Sequence, residues 1–263
     1  MTVHTGPVGG RGFDRPAVLR DYALLADGER GALVDPGRAI TWLCFPSWDS
    51  PAVFAGLVGG GGGYQVQPAA PAVWGGHYEP VGLVWRQRWT TTTGRVECRE
   101  ALALPGRPDQ VTILRRVSVT GSSAAVRVRL ALRADFGATG VRDLRRGEDG
   151  CWRGRLAGGS FCFAGAAQAQ LVQTAGHDDL EMELAVEPSQ AHDLVLTLST
   201  GSSADSPAPD EAWRAVEAGW SQRLAGVPTA GTAARDVRHA HAVLHGLTSA
   251  SGADGRRRDT GPA

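Results

Sequence analysis

The chain has 263 residues, enough for one large or two small domains. It carries 27 basic and 27 acidic side chains, so its formal net charge is zero, and composition offers no electrostatic case for a nucleic-acid or anionic-membrane partner. No apolar run approaches the roughly 18 residues that a membrane-spanning helix needs.

Residues 1–16 are Gly-rich and lack the apolar core of a signal peptide, so a disordered tail and a cytoplasmic location are expected. Tyr22–Ala26, Ala32–Val34 and Ala39–Phe45 are predicted strands of a meander, with turns at Asp27-Gly28 and Asp35-Pro36-Gly37. Ser50-Pro51 has the chemistry of a helix start. A serine oxygen accepts from the first backbone N–H groups, and proline suits a position whose N–H is not needed. Ala52–Val58 is therefore predicted as a short helix ended by Gly59–Gly63. Tyr64–Gln67 alternates as a strand, Pro68–Pro80 reads as loop, and Leu83–Trp89 pairs with Gly94–Ala103 across Thr90–Gly94.

Gln110–Val119 and Ala125–Arg133 flank a turn at Thr120–Ser123. In the second of these, Val126, Val128, Leu130 and Leu132 share one face and Arg127, Arg129 and Arg133 the other. With no aromatics interleaved, the arginines read as a polar sheet surface rather than a phosphate-binding stripe. Cys151–Leu156, Ser160–Ala164 and Ala169–Thr174 are further short strands. Leu180, Met182, Leu184 and Val186 then alternate with Glu181, Glu183 and Glu187, and Leu194, Leu196 and Leu198 alternate again. Many short strands with Gly and Pro turns predict a mainly β fold, a large antiparallel β-sandwich. Gly201–Pro209 is a linker. A helix follows with Asp210 as N-cap, Trp213, Val216, Trp220 and Leu224 on one face, and Gly226 as its stop. The tryptophan stripe has the spacing of a packing surface rather than a sugar platform. Arg235–Thr248 is a second amphipathic helix, after which the sequence is polar and aperiodic.

DYALLADG, GALVDPGRAITWLCFPSWDSPAVF and GGGGGYQVQP, all within residues 21–68, resemble the opening of bacterial glucoamylase- and trehalase-type enzymes of glycoside hydrolase family fifteen. The resemblance implies a trehalase-like N-terminal supersandwich, a connector helix, and the first helix of an (α/α)6 catalytic barrel whose remainder this sequence does not contain. It implies the divisions 1–16 (tail), 17–205 (sandwich), 206–226 (connector helix) and 227–263 (truncated barrel start and an aberrant tail). The tail departs from the family's continuation in the way a shifted reading frame would produce. Asp21, Trp42, Pro46, Asp49 and Ser50 match the family's motif and are expected to serve structure and domain contact. The family's Arg-Phe ahead of Asp-Ser is replaced by Ser47-Trp48, so any role of that arginine is missing here.

No catalytic residue can be named. Inverting glycosidases need one carboxylic acid and one carboxylate across the scissile bond, and the resemblance puts both on barrel loops beyond this sequence. Glu181, Glu183 and Glu187 lie on a polar strand face with no acid–base pairing. His241 and His245 share a helix face, but Ala242 stands where a zinc protease has glutamate, and His239 adds no third ligand. Cys44, Cys98, Cys151 and Cys162 form no metal-binding pair, and no metal or cofactor is expected. Gly59–Gly63 lacks the Lys-Ser/Thr of a phosphate loop. The expected role is a non-catalytic accessory domain whose partner is a catalytic barrel in cis or in trans. In isolation it is expected to expose an apolar patch near Trp213, Trp220 and Leu244. The other readings are half of a split α-glucosidase, or a freestanding protein-interaction or carbohydrate-binding module. The last would stack an α-glucosidic oligosaccharide on Trp48, Trp74, Trp85 or Trp89.

Overall fold

The computed structural model describes residues 17–228 and 230–249. The expected 1–16 tail and the polar end of the chain lie outside them. In chain order the strands are β1 (Ala23–Ala26), β2 (Gly31–Val34), β3 (Ala39–Cys44), β4 (Ala52–Ala55), β5 (Gly63–Pro68), β6 (Val73–Tyr78), β7 (Trp85–Thr90), β8 (Gly94–Leu102) and β9 (Gln110–Gly121). They continue as β10 (Ala124–Ala131), β11 (Arg133–Ala134), β12 (Thr139–Gly140), β13 (Arg142–Arg146), β14 (Trp152–Leu156), β15 (Gly159–Ala164), β16 (Gln170–Thr174), β17 (His177–Val186) and β18 (His192–Ser199). Helices α1 (Pro209–Arg223) and α2 (Ala234–Leu247) follow.

Two antiparallel eight-stranded sheets make the sandwich. The first runs β1-β2-β3-β5-β10-β17-β16 with β4 on β3, and the second runs β13-β14-β15-β18-β9-β8-β7-β6. The alternating side chains of β10 and β17 behave as their pattern predicts. Val126, Val128 and Leu130 are buried opposite Leu184, Met182 and Leu180, and join Ile113, Val117, Leu196, Phe161 and Phe163 between the sheets. On the outer side, Arg127 meets Glu183, and Arg129 meets Asp179 and Glu181. Arg133 departs from the expected polar surface: it is buried, and it pairs with the fully buried carboxylate of Asp179.

Two predicted elements are corrected. Ala52–Val58 is not a helix. Ala52–Ala55 is a buried strand pairing with β3, and a single 3-10 turn, Gly56–Val58, follows. The run Ala52-Val53-Phe54-Ala55 is apolar on both faces, so burial in the sheet outweighs the helix-start signal at Ser50-Pro51. Pro68–Pro80 is not all loop. Val73–Tyr78 forms the edge strand β6 on β7, an assignment hidden by Gly75-Gly76. The predicted hairpin of Leu83–Trp89 with Gly94–Ala103 is present as β7–β8.

One polar network lies within the apolar interior. Arg115 and Glu100 are both fully buried, with Nη2 2.8 Å from Oε1. Gln87 donates to the same Glu100 oxygen at 3.0 Å, and the indole of Trp74 donates to Gln87 at 3.0 Å. Arg115 also donates to the Tyr64 carbonyl across the sandwich at 2.7 Å and lies over the Tyr64 ring. Burial raises the Glu100 carboxyl above its ordinary range, against the pull of Arg115. Breaking a buried ion pair leaves an uncompensated charge, whereas replacing both partners with apolar groups does not. Glu100→Ala is therefore expected to destabilise the chain by about 3–5 kcal/mol, and Glu100→Leu with Arg115→Met to recover most of that loss. Urea denaturation of the two variants checks this.

Candidate functional site

The two outer faces of the sandwich are finished differently. On the second sheet, α1 closes a second apolar core. Pro209 occupies its first turn beside Asp210 and Glu211, and Ala208 stands at the N-cap, two residues before the Asp210 cap that the sequence suggests. The helix ends at Arg223, before the predicted stop at Gly226. Trp213, Val216, Trp220 and Leu224 are buried against Leu104, Leu114 and Val195. Gly82, at φ +65, lets the Trp220 ring lie flat on the chain, where an added Cβ would sit 2.1 Å from the ring. Arg116 holds the helix start through Asp193 and Asp210, and these bonds raise its pKa. The expected apolar patch therefore does not form at Trp213 and Trp220, which are 2% and 0% exposed. Leu244 alone of the three faces solvent, at 63%.

On the first sheet the meander leaves its outer face partly open. The strand registers place Leu24, Leu33, Trp42 and Ala55 in one cross-strand row. Leu24, Leu33 and Trp42 are half-buried, and Leu25, Ala32 and Leu43 on the other side of the same strands are core. Trp42 meets Phe136, whose ring is 6.4 Å away and half exposed on a turn held at φ +56. Trp48 lies over Gly31 and remains 38% exposed, and a Cβ on Gly31 would come within 2.5 Å of that indole. Helix α2 borders this face. Gly246 packs closely on Ala26 and Leu83, the His239 ring lies tilted against Tyr78 at 4.4 Å, and Arg238 donates to the carbonyls of Leu224 and Val227 just past the end of α1. The outward side of α2 carries Val237, Ala240, Leu244 and Leu247, spaced as one helical stripe and all exposed.

The five motif residues are placed as follows. Asp21 closes a 3-10 turn ahead of β1 and lies 3.8 Å from Arg20. Pro46 follows a cis peptide bond at the end of β3. Asp49 and Ser50 tie their own loop: the Ser47 hydroxyl donates to Asp49 at 2.6 Å, and the Ser47 N–H donates to the Ser50 hydroxyl at 3.1 Å. That loop presents Trp48. Trp42 alone of the five is part of the apolar row. Leu24, Leu33 and Phe136 escape motif reasoning because strand register and the distant turn at Phe136 bring them beside Trp42.

Elsewhere among the described residues, the acidic side chains of the second sheet's β6–β8 region are paired. Glu79 and Glu97 are held by Arg86, Arg88 and Arg99. No three metal-ligating side chains gather among the described residues, and the four cysteines are free thiols. The strand tryptophans are structural: Trp89 is fully buried, Trp85 packs edge-on against Tyr78, and Trp74 is bonded to Gln87. An open groove of about 280 Å³ at the start of α1, lined by Leu104, Pro105, Thr112 and Pro207, has its one cation, Arg107, paired with Asp109.

Asp35 has a carboxyl pushed up to about 6, first because it is removed from water at the β2–β3 turn, although the backbone N–H of Ala39 bonds it at 2.9 Å. A carboxyl with a raised folded pKa is easier to protonate in the folded chain, so stability rises as pH falls from about 7 toward 4. Asp35→Asn keeps the turn's acceptor without the charge. It is expected to be more stable than the parent by about 1 kcal/mol at pH 7 and to lose that advantage by about pH 4. Thermal denaturation across that range checks it.

The family model described as "Trehalase-like, N-terminal" matches residues 12–220. The trehalase of Mycobacterium tuberculosis (strain ATCC 25618 / H37Rv) is 34% identical over 88 residues, which are 33% of this chain and 13% of that one. The trehalase of Mycolicibacterium smegmatis (strain ATCC 700084 / mc(2)155) is 33% identical over 88 residues, with the same shares. A bacterial glucoamylase, solved in complex with acarbose, superposes with a TM-score of 0.53 at 9% identity, covering 87% of this chain and 40% of that one. The matches thus span only part of each relative's length.

Proposed function

The chain belongs to the trehalase-like N-terminal family, and from that premise we propose that it is a non-catalytic accessory domain that docks an (α/α)6 catalytic barrel of the glucoamylase/trehalase type, glycoside hydrolase family fifteen. One observation carries the reading. On the second sheet, α1 buries the apolar part of the outer face at Leu104, Leu114 and Val195, while the outer face of the first sheet and the α2 stripe beside it leave Trp42, Trp48, Phe136 and Leu244 partly or largely uncovered. An apolar surface of this kind, rimmed by polar groups, marks an interaction site. Loop Ser47–Ser50 is self-bonded, so it can hold Trp48 in place before any partner arrives.

The partner would be a barrel in the same polypeptide or a separate chain, and its glutamates would act on an α-glucosidic bond. The half of a split α-glucosidase is the same reading with the barrel in trans. A freestanding sugar-binding module draws less support, since three of its four candidate tryptophans are occupied within the fold. A cytoplasmic location remains part of the proposal. Among the described residues, no helix is long and apolar enough to cross a membrane.

The test is co-purification of this chain with a family-fifteen barrel expressed separately. The expected result is a stable complex, with hydrolysis of trehalose or maltooligosaccharide found only when the barrel is present. Leu244→Glu and Trp42→Ala are each expected to weaken the complex tenfold or more, about 1.4 kcal/mol, without changing the chain's own circular dichroism. A complex indifferent to both substitutions, or saturable oligosaccharide binding by the chain alone, overturns the reading.

A further inference from the structure

We propose that β16 is a self-association edge, at which two copies of this chain join their first sheets by antiparallel pairing of β16 with β16. Apart from β4, which branches from β3, the two sheet paths end at four strands, β1, β16, β13 and β6, and a strand at an edge presents unpaired backbone groups that template another strand unless the fold blunts them. The β1 edge is closed: the Leu24 N–H donates to the Tyr78 hydroxyl at 2.5 Å, that hydroxyl donates to the Leu24 carbonyl at 3.1 Å, and α2 lies beside the strand. The β13 edge carries Arg142, Arg145 and Arg146, and its register is broken near Asp143, which sits at φ +53. The β6 edge has Gly75-Gly76 at its centre, which weakens any added strand.

β16 has none of these devices. Gln170–Thr174 contains no charge, no glycine and no proline, and its Leu171 and Val172 are 49% and 36% exposed. A two-residue turn, Ala175-Gly176, with both residues at positive φ, holds the strand against β17.

The composition of the edge selects a second copy as its occupant. A two-fold axis normal to the sheet keeps inner and outer faces matched, so Leu171 meets its own symmetry mate, or, one residue along, Val172 does. In either register the pairs along Gln170–Thr174 are neutral, so no like charges are opposed, which is the usual obstacle to self-pairing. A charged partner would find little to recognise, because the neighbouring outer-face charges are already paired, Arg127 with Glu183 and Arg129 with Asp179 and Glu181. β16 and β1 lie at opposite ends of the first sheet, so self-association there leaves the meander surface open. The inference does not depend on the accessory-domain reading.

Sedimentation velocity of the full chain from about 1 to about 100 μM tests it. A reversible monomer–dimer equilibrium is expected, with amide exchange in residues 170–174 slowing as the dimer fills. Leu171→Lys and Val172→Lys should each weaken the dimer at least tenfold with unchanged circular dichroism. Leu244→Glu, which would disrupt barrel docking, should leave it intact. A monomer at every concentration, a dimer that survives both lysine substitutions, or a dimer lost with Leu244→Glu alone overturns the proposal. Should the lysine variants fail to fold, the exchange measurement on the parent chain decides: no concentration-dependent slowing at 170–174 overturns it.

Discussion

A single guanidinium, buried between the sheets, fixes how this sandwich is put together. Arg115 bonds Glu100 on the adjacent strand and the Tyr64 carbonyl on the facing sheet, and the Glu100 carboxylate in turn engages Gln87. The chain of bonds continues to Trp74, so β5, β6, β7, β8 and β9 are tied to one charge. Apolar contacts tolerate sliding by a residue pair, because one Val or Leu replaces another. A buried charge does not, since any other register strands it without its counter-ion. The network thus works as a register pin for strands whose apolar pattern alone would accept several alignments.

From that pinned sandwich the two faces diverge. The second sheet has interior-facing and helix-facing apolar residues on the same strands, as in β18, where Leu194, Leu196 and Leu198 join the sandwich core and Val195 faces Trp213. Such a strand must be covered on both sides, and α1 covers it. The first sheet's outer face is mixed. Its β10 and β17 end is a lattice of arginine–carboxylate pairs at home in water, and its meander end is a short row of Leu24, Leu33 and Trp42. The boundary between the two ends is the boundary of the proposed interface.

The sequence was most readable where a strand has one wet and one dry face. β10, β17 and the β7–β8 hairpin follow from period-two alternation with flanking turns, and both helices follow from their apolar spacing. It was least readable where burial is two-sided or side chains are missing. Ala52–Ala55 lost its strand signal to apolar residues on both faces, and Val73–Tyr78 lost its own to two glycines. For the surface, Trp42 was legible as a motif residue. Leu24, Leu33 and Phe136 were not, because their proximity depends on register and on the path of a distant turn. Arg115 carries no mark of its own in the sequence, and nothing in TILRRV says which of its two arginines is buried.

The chain's repeated switching between sheets also dictates when the fold can exist. β5 is complete by residue 68 but waits for β10, and β9 waits for β18, whose last residue is Ser199. Hairpins between consecutive strands form locally, but the pairings that complete the two sheets, β5–β10, β10–β17 and β9–β18, are non-local, and long loops must close before these are rewarded. During synthesis the N-terminal meander emerges early, whereas the second sheet is complete only once β18 has left the ribosome. Helices α1 and α2 come out only after that point, onto a sandwich ready to receive them. Whatever segment or protein covers the meander face meets a surface formed beforehand, so the order of translation becomes an order of assembly.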